Sequence, residues 1–299
     1  REGPALWRFA SGKTLTCLQI PLARLLNEGF NTGHGYIRPP HRPSSATALA
    51  AIILQCSQND MHGGQSFAFF DRDMADFVAG ADENEVYQAM EALIYNLNSM
   101  HSRAGAQVPF SSLNLGTDTS TGGRLVTRSL LRAYAAGLGR GETPIFPNII
   151  FRLKKGVNFE PGDPNYDLFR LAMKTASQRL NPTFSFMDSA FNQAYGDEVA
   201  YMGCRTRVIA NRHGPEVSTG RGNLSFTTIN LPRIAIRSGR NLEVFYRELE
   251  HVLELTARQL MHRFQVQAHL RAADMPFLMG QGLYLGSEKL NPQDRIGEV

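Results

Sequence analysis

The spacing of hydrophobic positions changes along the chain from a period of two to a period near 3.6, which predicts strands that alternate with helices. Residues 14–20 alternate like a strand that ends at Pro21, and residues 22–28 have the pattern of a short helix before Gly29. The apolar run at residues 46–61 predicts a longer helix, with Ser44 or Ser45 as its N-cap.

The same alternation continues to the end of the chain. Further strands are predicted at residues 66–70, 108–115, 148–153, 183–188 and 224–231, and further helices at 71–101, after the loop 116–123, at 165–180 and at 241–271. In the helix after the loop, Leu131, Tyr134, Ala135 and Leu138 form one apolar stripe. This order predicts an α/β fold with strands buried beneath helices. A barrel or half-barrel is favoured over an open dinucleotide-binding sheet, because no GxGxxG follows the first strand.

Composition places the chain among ordinary globular proteins, since 42% of its 299 residues are hydrophobic and 19% are charged. The net charge of +4 is small and its side chains are scattered, so we expect no nucleic-acid partner, whereas an anionic small substrate is compatible. The chain contains no apolar run of about 18 residues, which a membrane span requires, and no signal-peptide core. We therefore expect a cytoplasmic protein without a membrane partner.

The three cysteines, Cys17, Cys56 and Cys204, are too few and too widely spaced for a secreted disulfide framework, and no CxxC occurs. We interpret Cys56, inside an apolar helix, as a small buried hydrophobe. No HExxH pattern is present, and we interpret the His251 and Glu254 pair as part of a solvated helix face. No metal site is predicted.

The segment 198–236 holds the candidate chemistry. Cys204 follows Gly203 and precedes a segment rich in turn residues, which predicts a loop position. A neighbouring cation, Arg205 or Arg207, could lower the pKa of the Cys204 thiol. Spacing alone leaves open whether Cys17 and Cys204 meet. If they do, a thiol pair or a thiol radical with a hydrogen-donating partner becomes feasible.

Two glycine-rich stretches are open to more than one interpretation. Gly63 and Gly64 suit either close approach of the backbone to a ligand or a plain turn. The loop 116–123 could hold a phosphate, because it leads into a helix N-terminus, although the GxxxxGK[ST] pattern is absent.

Eight sequence blocks carry a resemblance to a known family. In order they read TLTCLQIPL, NDMHGGQS, PFSSLNLGTDT, FPNIIF, DPNYDLFRLA, MGCRTRV, GRGNLSFTTINLPRIA and FLMGQGLYL. From Lys13 onward the chain resembles the class III anaerobic ribonucleotide reductases. The resemblance implies the glycyl radical enzyme fold, a ten-stranded α/β barrel that receives a finger loop, and the MGCRTRV block resembles that loop. Residues 14–299 would form part of this barrel, incomplete here, behind an unassigned leader at 1–13.

The resemblance implies reduction of ribonucleoside triphosphates to 2′-deoxyribonucleotides without oxygen. In this assignment Cys204 matches the thiyl cysteine that removes the 3′-hydrogen of the ribose, and Cys17 matches the cysteine on the opposite side of the substrate. Asn223 matches the active-site asparagine, with Asn230 as the less favoured alternative. Formate is the expected reductant. Expected substrate contacts are Gly63, Gly64, Gln65, Ser111 and Ser112.

The chain also departs from the family pattern. It contains no RVCGY-type segment for the glycyl radical, no pair of CxxC motifs for the structural zinc, and no regulatory nucleotide-binding cone. We therefore expect a fragment that binds no cofactor and is inactive alone. The expected partners of the intact enzyme are nucleotide effectors, a radical-SAM activating enzyme and a second subunit. The alternatives are a nucleotide-binding or dimer-forming remnant without turnover, and another glycyl radical enzyme, which would show adjacent cysteines on the loop.

Overall fold

A five-stranded parallel sheet forms the centre of the computed structural model, which describes residues 15–101 and 105–298. The strands lie side by side in the order β1 (Leu18–Ile20), β4 (Gln65–Phe67), β5 (Ser111–Leu115), β6 (Asn148–Leu153) and β7 (Thr183–Phe186). From β4 onward, each connection therefore places the next strand beside the previous one. A separate hairpin pairs β2 (Phe30–Asn31) with β3 (Tyr36–Ile37).

Helices connect the strands. They are α1 (Leu22–Glu28), α2 (Pro43–Asp60), α3 (Phe70–Met74), α4 (Glu83–Ser99), α5 (Thr121–Ala136), α6 (Tyr166–Arg179), α7 (Leu231–Arg237) and α8 (Leu242–Ala268). The α/β prediction is confirmed. The predicted N-cap at Ser44 or Ser45 is wrong, because α2 begins at Pro43 and Arg42 is its N-cap, so both serines lie within the first turn. Two other helix starts have side-chain caps: Asp82 accepts from the Asn84 N–H at 3.0 Å, and Ser120 accepts from the Gly123 N–H at 3.1 Å.

The two faces of the sheet differ in polarity. The register aligns Gln19, Ser66 and Ser112 across β1, β4 and β5, and aligns Ile20, Phe67 and Leu113 one step later. Since neighbours along a strand point to opposite faces, one face is apolar and the other is polar. The apolar face belongs to the main core, with Phe67, Leu113 and Phe151 fully buried. We call the opposite side the polar face. Its residues include Gln19, Ser66, Ser112, Asn114 and Arg152.

The strand predicted at residues 224–231 is wrong. No regular structure forms there before Leu231, where α7 begins with Pro232 in its first turn. Proline suits the first turn of a helix, so it marks a helix start here instead of only ending a strand. The segment that pairs with the sheet lies earlier, at residues 220–223, and runs antiparallel to β1 through a bridge between Leu18 and Gly222.

The strand predicted at residues 66–70 is also shorter than expected, because β4 ends at Phe67 and α3 begins at Phe70. The five consecutive residues Ser66 to Phe70 are all buried. The spacing of hydrophobic positions could therefore not show where the strand ends and the helix begins.

Helix α8 confirms the helix predicted at residues 241–271. Its main contacts are with α7 and with the turn Ile296–Glu298. Gln267 is its one buried residue, while Leu242, Tyr246 and Phe264 are exposed. Among the helices of the described ranges, none combines the length and the apolar character that a membrane crossing needs.

Candidate active site

The predicted cysteine loop is a tight hairpin, here called the cysteine hairpin (residues 202–206). Met202 and Thr206 exchange backbone hydrogen bonds of 3.0 and 2.9 Å, and Cys204 is exposed at the tip. Gly203 and Arg205 have φ values of 52° and 85°, in the region that favours glycine. The Arg205 side chain secures this conformation by donating to Thr183 Oγ1 at 3.0 Å and to the Gly203 carbonyl at 3.1 Å.

The base of the hairpin is fixed to the polar face of the sheet. Asn114 accepts from the Tyr201 N–H at 2.8 Å and donates to the Tyr201 carbonyl at 2.8 Å. Ser66 Oγ donates to the same carbonyl at 3.0 Å. Both residues are fully buried. Two adjacent strands therefore hold the residue that precedes the hairpin.

The hairpin tip contacts Cys17 and the paired glycines. The Gly64 N–H donates to Cys17 Sγ at 3.2 Å, and a Cβ placed on Gly203 would lie 3.1 Å from the same sulfur. A Cβ on Gly64 would lie 2.3 Å from Gly203 Cα. The glycine pair thus permits contact between its backbone and that of the hairpin. This is a third explanation for the two glycines, beside a plain turn and close approach to a ligand. The structure brings the segments of Cys17 and Cys204 together.

The electrostatics around these thiols favour a protonated Cys17. Burial raises the pKa of the Cys17 thiol, the Gly64 N–H opposes this, and the negative charge of a Cys204 thiolate would raise it further. Burial also lowers the pKa of the Arg205 guanidinium, while the charge of Cys204 acts in the opposite direction. Arg207 is engaged elsewhere, since it donates to the Phe191 carbonyl at 2.6 Å and lies over that ring. Arg205 is therefore the cation coupled to Cys204.

The two candidate asparagines occupy different environments. The Asn223 N–H donates to the Cys17 carbonyl at 2.9 Å, and its own carbonyl accepts from the Thr16 N–H at 3.0 Å. Asn230 instead caps α7, because its side-chain oxygen accepts from the Arg233 N–H at 3.0 Å. The cap explains Asn230 without any catalytic role, and Asn223 lies beside Cys17.

The remaining predicted substrate contacts divide between the two faces. Ser112 is in register with Ser66, so it belongs to the polar face, with the hairpin. Gln65 and Ser111 are in register with each other, and alternation places them on the opposite, helix-covered face. Within the described residues Ser111 Oγ, Ser112 Oγ and Gln65 Oε1 are buried without a hydrogen-bond partner.

Sequence reasoning missed three residues of this region: Gln19, Ser66 and Asn114. Gln19 is 1% exposed, and both polar atoms of its amide lack a partner among the described residues. It lies two residues after Cys17 and beside Ser66 in the register. Each of these residues is a polar side chain within an apolar run, and the three runs read TLTCLQI, QSFAFF and SSLNL. A polar residue in such a run is a sign of a buried polar group, and this sign could have identified them.

A cavity of about 540 Å³ opens beside the hairpin, at the β7 edge of the sheet. Its walls include Thr183, Phe186, Phe191, Tyr201 and Arg205. Cavities of this size accommodate cofactor-sized and substrate-sized molecules. The cavity is therefore large enough for a nucleotide next to the cysteine hairpin.

The proposed phosphate loop at residues 116–123 is less open than its composition indicates. The Gly116 and Asp118 N–H groups donate to the buried Asp71 carboxylate at 2.7 and 3.2 Å. The Ser120 N–H donates to Asp118 and the Gly123 N–H to Ser120. Since these donors already have protein acceptors, they are not available to a phosphate.

No group of three or more His, Cys, Asp or Glu side chains could hold a metal ion in the part of the chain that the structure describes. The three cysteines of the sequence also do not supply the donor set of a four-cysteine zinc site. No step of the chemistry below involves zinc.

Comparisons with known proteins show the family of this chain. The family model for the anaerobic ribonucleoside-triphosphate reductase matches residues 7–299. The chain is 32% identical to that reductase from Escherichia coli K12, over 95% of this chain and 43% of the relative, and 31% identical to that of enterobacteria phage T4, over 95% and 51%. It thus spans about half the length of the curated relatives it matches.

The fold comparison is consistent with the sequence match. The anaerobic ribonucleotide reductase of Thermotoga maritima with citrate in its active site has a TM-score of 0.62 at 17% identity, covering 94% of this chain and 53% of that one. The same enzyme in complex with dATP and CTP has a TM-score of 0.61 at 16% identity, covering 95% and 50%. From the family match and the identity to these relatives, the chain belongs to the anaerobic ribonucleoside-triphosphate reductase family.

Proposed function

We propose that this chain forms one part of the reaction chamber of an anaerobic ribonucleoside-triphosphate reductase, in which Cys204 and Cys17 act on opposite sides of a ribose. The observation that carries the proposal is the contact between the hairpin tip and Cys17, where a Cβ on Gly203 would lie 3.1 Å from Cys17 Sγ. The hairpin that carries Cys204 meets Cys17 at the amino-terminal ends of β1 and β4, which supports chemistry that needs both thiols.

The residues have distinct roles in this proposal. The exposed tip position lets Cys204, once a radical has removed its hydrogen, reach the ribose 3′-hydrogen. Cys17 is held as a neutral thiol, because its pKa is raised, so its S–H bond remains available as a hydrogen donor. An amide at Asn223 can orient ribose hydroxyls without titrating near neutral pH.

Further parts of the proposal concern the intact enzyme. The five parallel strands would be one half of a ten-stranded barrel, and the glycyl radical and its zinc site would lie outside this chain, so the fragment alone would not turn over. Formate would be the reductant, and a radical-SAM enzyme would introduce the radical. Nucleotide substrates and effectors, with a homodimeric assembly, follow from the family. The complex of the Thermotoga enzyme with dATP and CTP supports nucleotide ligands.

The test completes the chain with the carboxyl-terminal part of a related reductase. The activating enzyme is supplied with S-adenosylmethionine and a one-electron reductant, and ribonucleoside triphosphates and formate are added under strict anaerobiosis. We expect deoxyribonucleotide from the parent and none from Cys204→Ala. Cys56→Ala is the matched control, because Cys56 lies within α2 and packs against the main core. Product from Cys204→Ala would overturn the assignment. Nucleotide binding without product in every variant would favour the non-catalytic alternative.

A further inference from the structure

We propose that Asn114 is the positioning residue of the cysteine hairpin: its buried amide sets where Cys204 stands relative to Cys17. The proposal rests on the proposed function for its consequence in turnover. The claim that Asn114 sets the position of Cys204 depends only on the contacts of its amide. This claim and its consequence for turnover are tested separately.

Asn114 lies in the interior of β5 and is 0% exposed. Its side chain binds both backbone groups of Tyr201 at 2.8 Å, so it pairs with Tyr201 as a neighbouring strand would. Its amino group also approaches Ser66 Oγ and the Phe67 carbonyl, each at 3.1 Å. One side chain of β5 therefore joins the hairpin base to β4.

Because few residues separate Tyr201 from Cys204, the contact between Asn114 and Tyr201 determines the position of Cys204. Tyr201 and Cys204 are three residues apart, so a displacement of the base passes almost directly to the tip. The tip has little freedom of its own, since Gly203 rests on Gly64 with no space for a Cβ. The hairpin is thus held at its base by the Asn114 amide and the Ser66 hydroxyl, and nearer its tip by the Gly64 backbone and the hydrogen bond from Arg205 to Thr183. Among these contacts, the Asn114 amide is the one that pairs with both backbone groups of Tyr201.

A simpler interpretation is that Asn114 only satisfies buried backbone groups. Asn158 supplies the comparison, because it is also 0% exposed and donates to two backbone carbonyls, those of Gly116 and Arg152, at 2.8 Å each. Within the described ranges, the hydrogen bonds of Asn158 go to Lys154, Gly116 and Arg152 and not to the hairpin. Replacement of either asparagine leaves buried groups unpaired and should cost comparable stability. Only replacement of Asn114 should move Cys204.

The experiment measures disulfide formation between Cys17 and Cys204 in the reduced chain on a Cys56→Ala background. The oxidant is an azodicarboxamide, which is reduced to the hydrazine while the two thiols lose two electrons and two protons. We expect Asn114→Leu to slow the reaction about tenfold or more, since small misplacements of reacting groups cost large rate factors. Asn158→Leu should leave the rate unchanged. Ser66→Ala, which removes one contact to Tyr201, should have a smaller effect.

Equal rates for Asn114→Leu and Asn158→Leu, at a temperature where both are folded, would overturn the proposal. If Asn114→Leu does not fold, an unchanged rate in Ser66→Ala would do the same. This readout needs no turnover, so it remains valid if the proposed function fails. In the completed enzyme we expect Asn114→Leu to lower kcat with the Kd for nucleotide unchanged. A rise in that Kd alone would contradict positioning of the cysteine.

Discussion

A single methyl group on Gly64 would probe the contact between the cysteine hairpin and the sheet. The Cβ of an alanine there would lie 2.3 Å from Gly203 Cα and 2.7 Å from Gly203 N. Ordinary van der Waals contact requires roughly 3.5–4.0 Å between carbon atoms. Because the methyl group meets backbone and not a flexible side chain, the hairpin tip must retreat by somewhat more than about 1 Å.

The size of the effect follows from this displacement. Overpacking of this kind costs typically about 1–3 kcal/mol of folding free energy. A misplacement of about 1 Å can also reduce a rate on the order of a hundredfold. Since the methyl group pushes Gly203 away, Cys204 leaves its place beside Cys17. The loss of turnover should therefore exceed what the loss of stability explains.

The assay compares deoxyribonucleotide formation by the completed Gly64→Ala enzyme with its thermal unfolding midpoint. Gly139→Ala is the control, because a Cβ there meets nothing within 4 Å and the backbone is not in the left-handed region. We expect Gly139→Ala to behave like the parent. Parental turnover in Gly64→Ala would refute the reasoning, because it would mean that the hairpin does not rest on Gly64 in the working enzyme.

Further predictions concern other residues of the site and the buried acid near β4. Cys204→Ser should abolish turnover while nucleotide binding, measured by calorimetry, is retained, and loss of binding would argue against a purely chemical role. Asn230→Ala should lower the free energy of unfolding by about 1 kcal/mol, because the helix cap is lost, and should leave turnover intact. Asn223→Ala should lower turnover. The reverse result would exchange the roles of the two asparagines. Burial raises the pKa of Asp73 from 3.8 to about 6. The folded state then binds a proton more tightly than the unfolded state, so this residue's stabilising contribution is full below about pH 4 and is lost as the pH rises through 6. Asp73→Asn should remove this decline from the pH dependence of the unfolding midpoint, and an unchanged pH profile would contradict it.

Local signals were sufficient where structure depends on neighbours along the chain. Gly203 and the turn residues after Cys204 predicted a loop, and the structure has a hairpin there. Residues 224–231 show the limit of such signals. Their alternation resembles a strand, but the adjacent edge of β1 is already paired with residues 220–223. Without a free edge beside it, an alternating segment has no strand to join.

Contacts between distant parts of the chain were beyond the reach of sequence patterns. Asn114 and Tyr201 are separated by 87 residues, and no periodicity reports that they meet. The same holds for Gly64, which contacts the backbone of the distant Gly203. The convergence of Cys17 and Cys204 was an implication of the family resemblance, and composition and spacing left it open.

The antiparallel pairing of residues 220–223 with β1 has a consequence for how the chamber operates. The segment that carries Cys204 is anchored at both ends, at Tyr201 on one side and at Gly222 on the other. Displacing the base of the hairpin would break the hydrogen bonds that join Tyr201 to the Asn114 and Ser66 side chains. In the proposed function, folding itself would therefore preorganise the two thiols, and no substrate binding energy would be needed to assemble them.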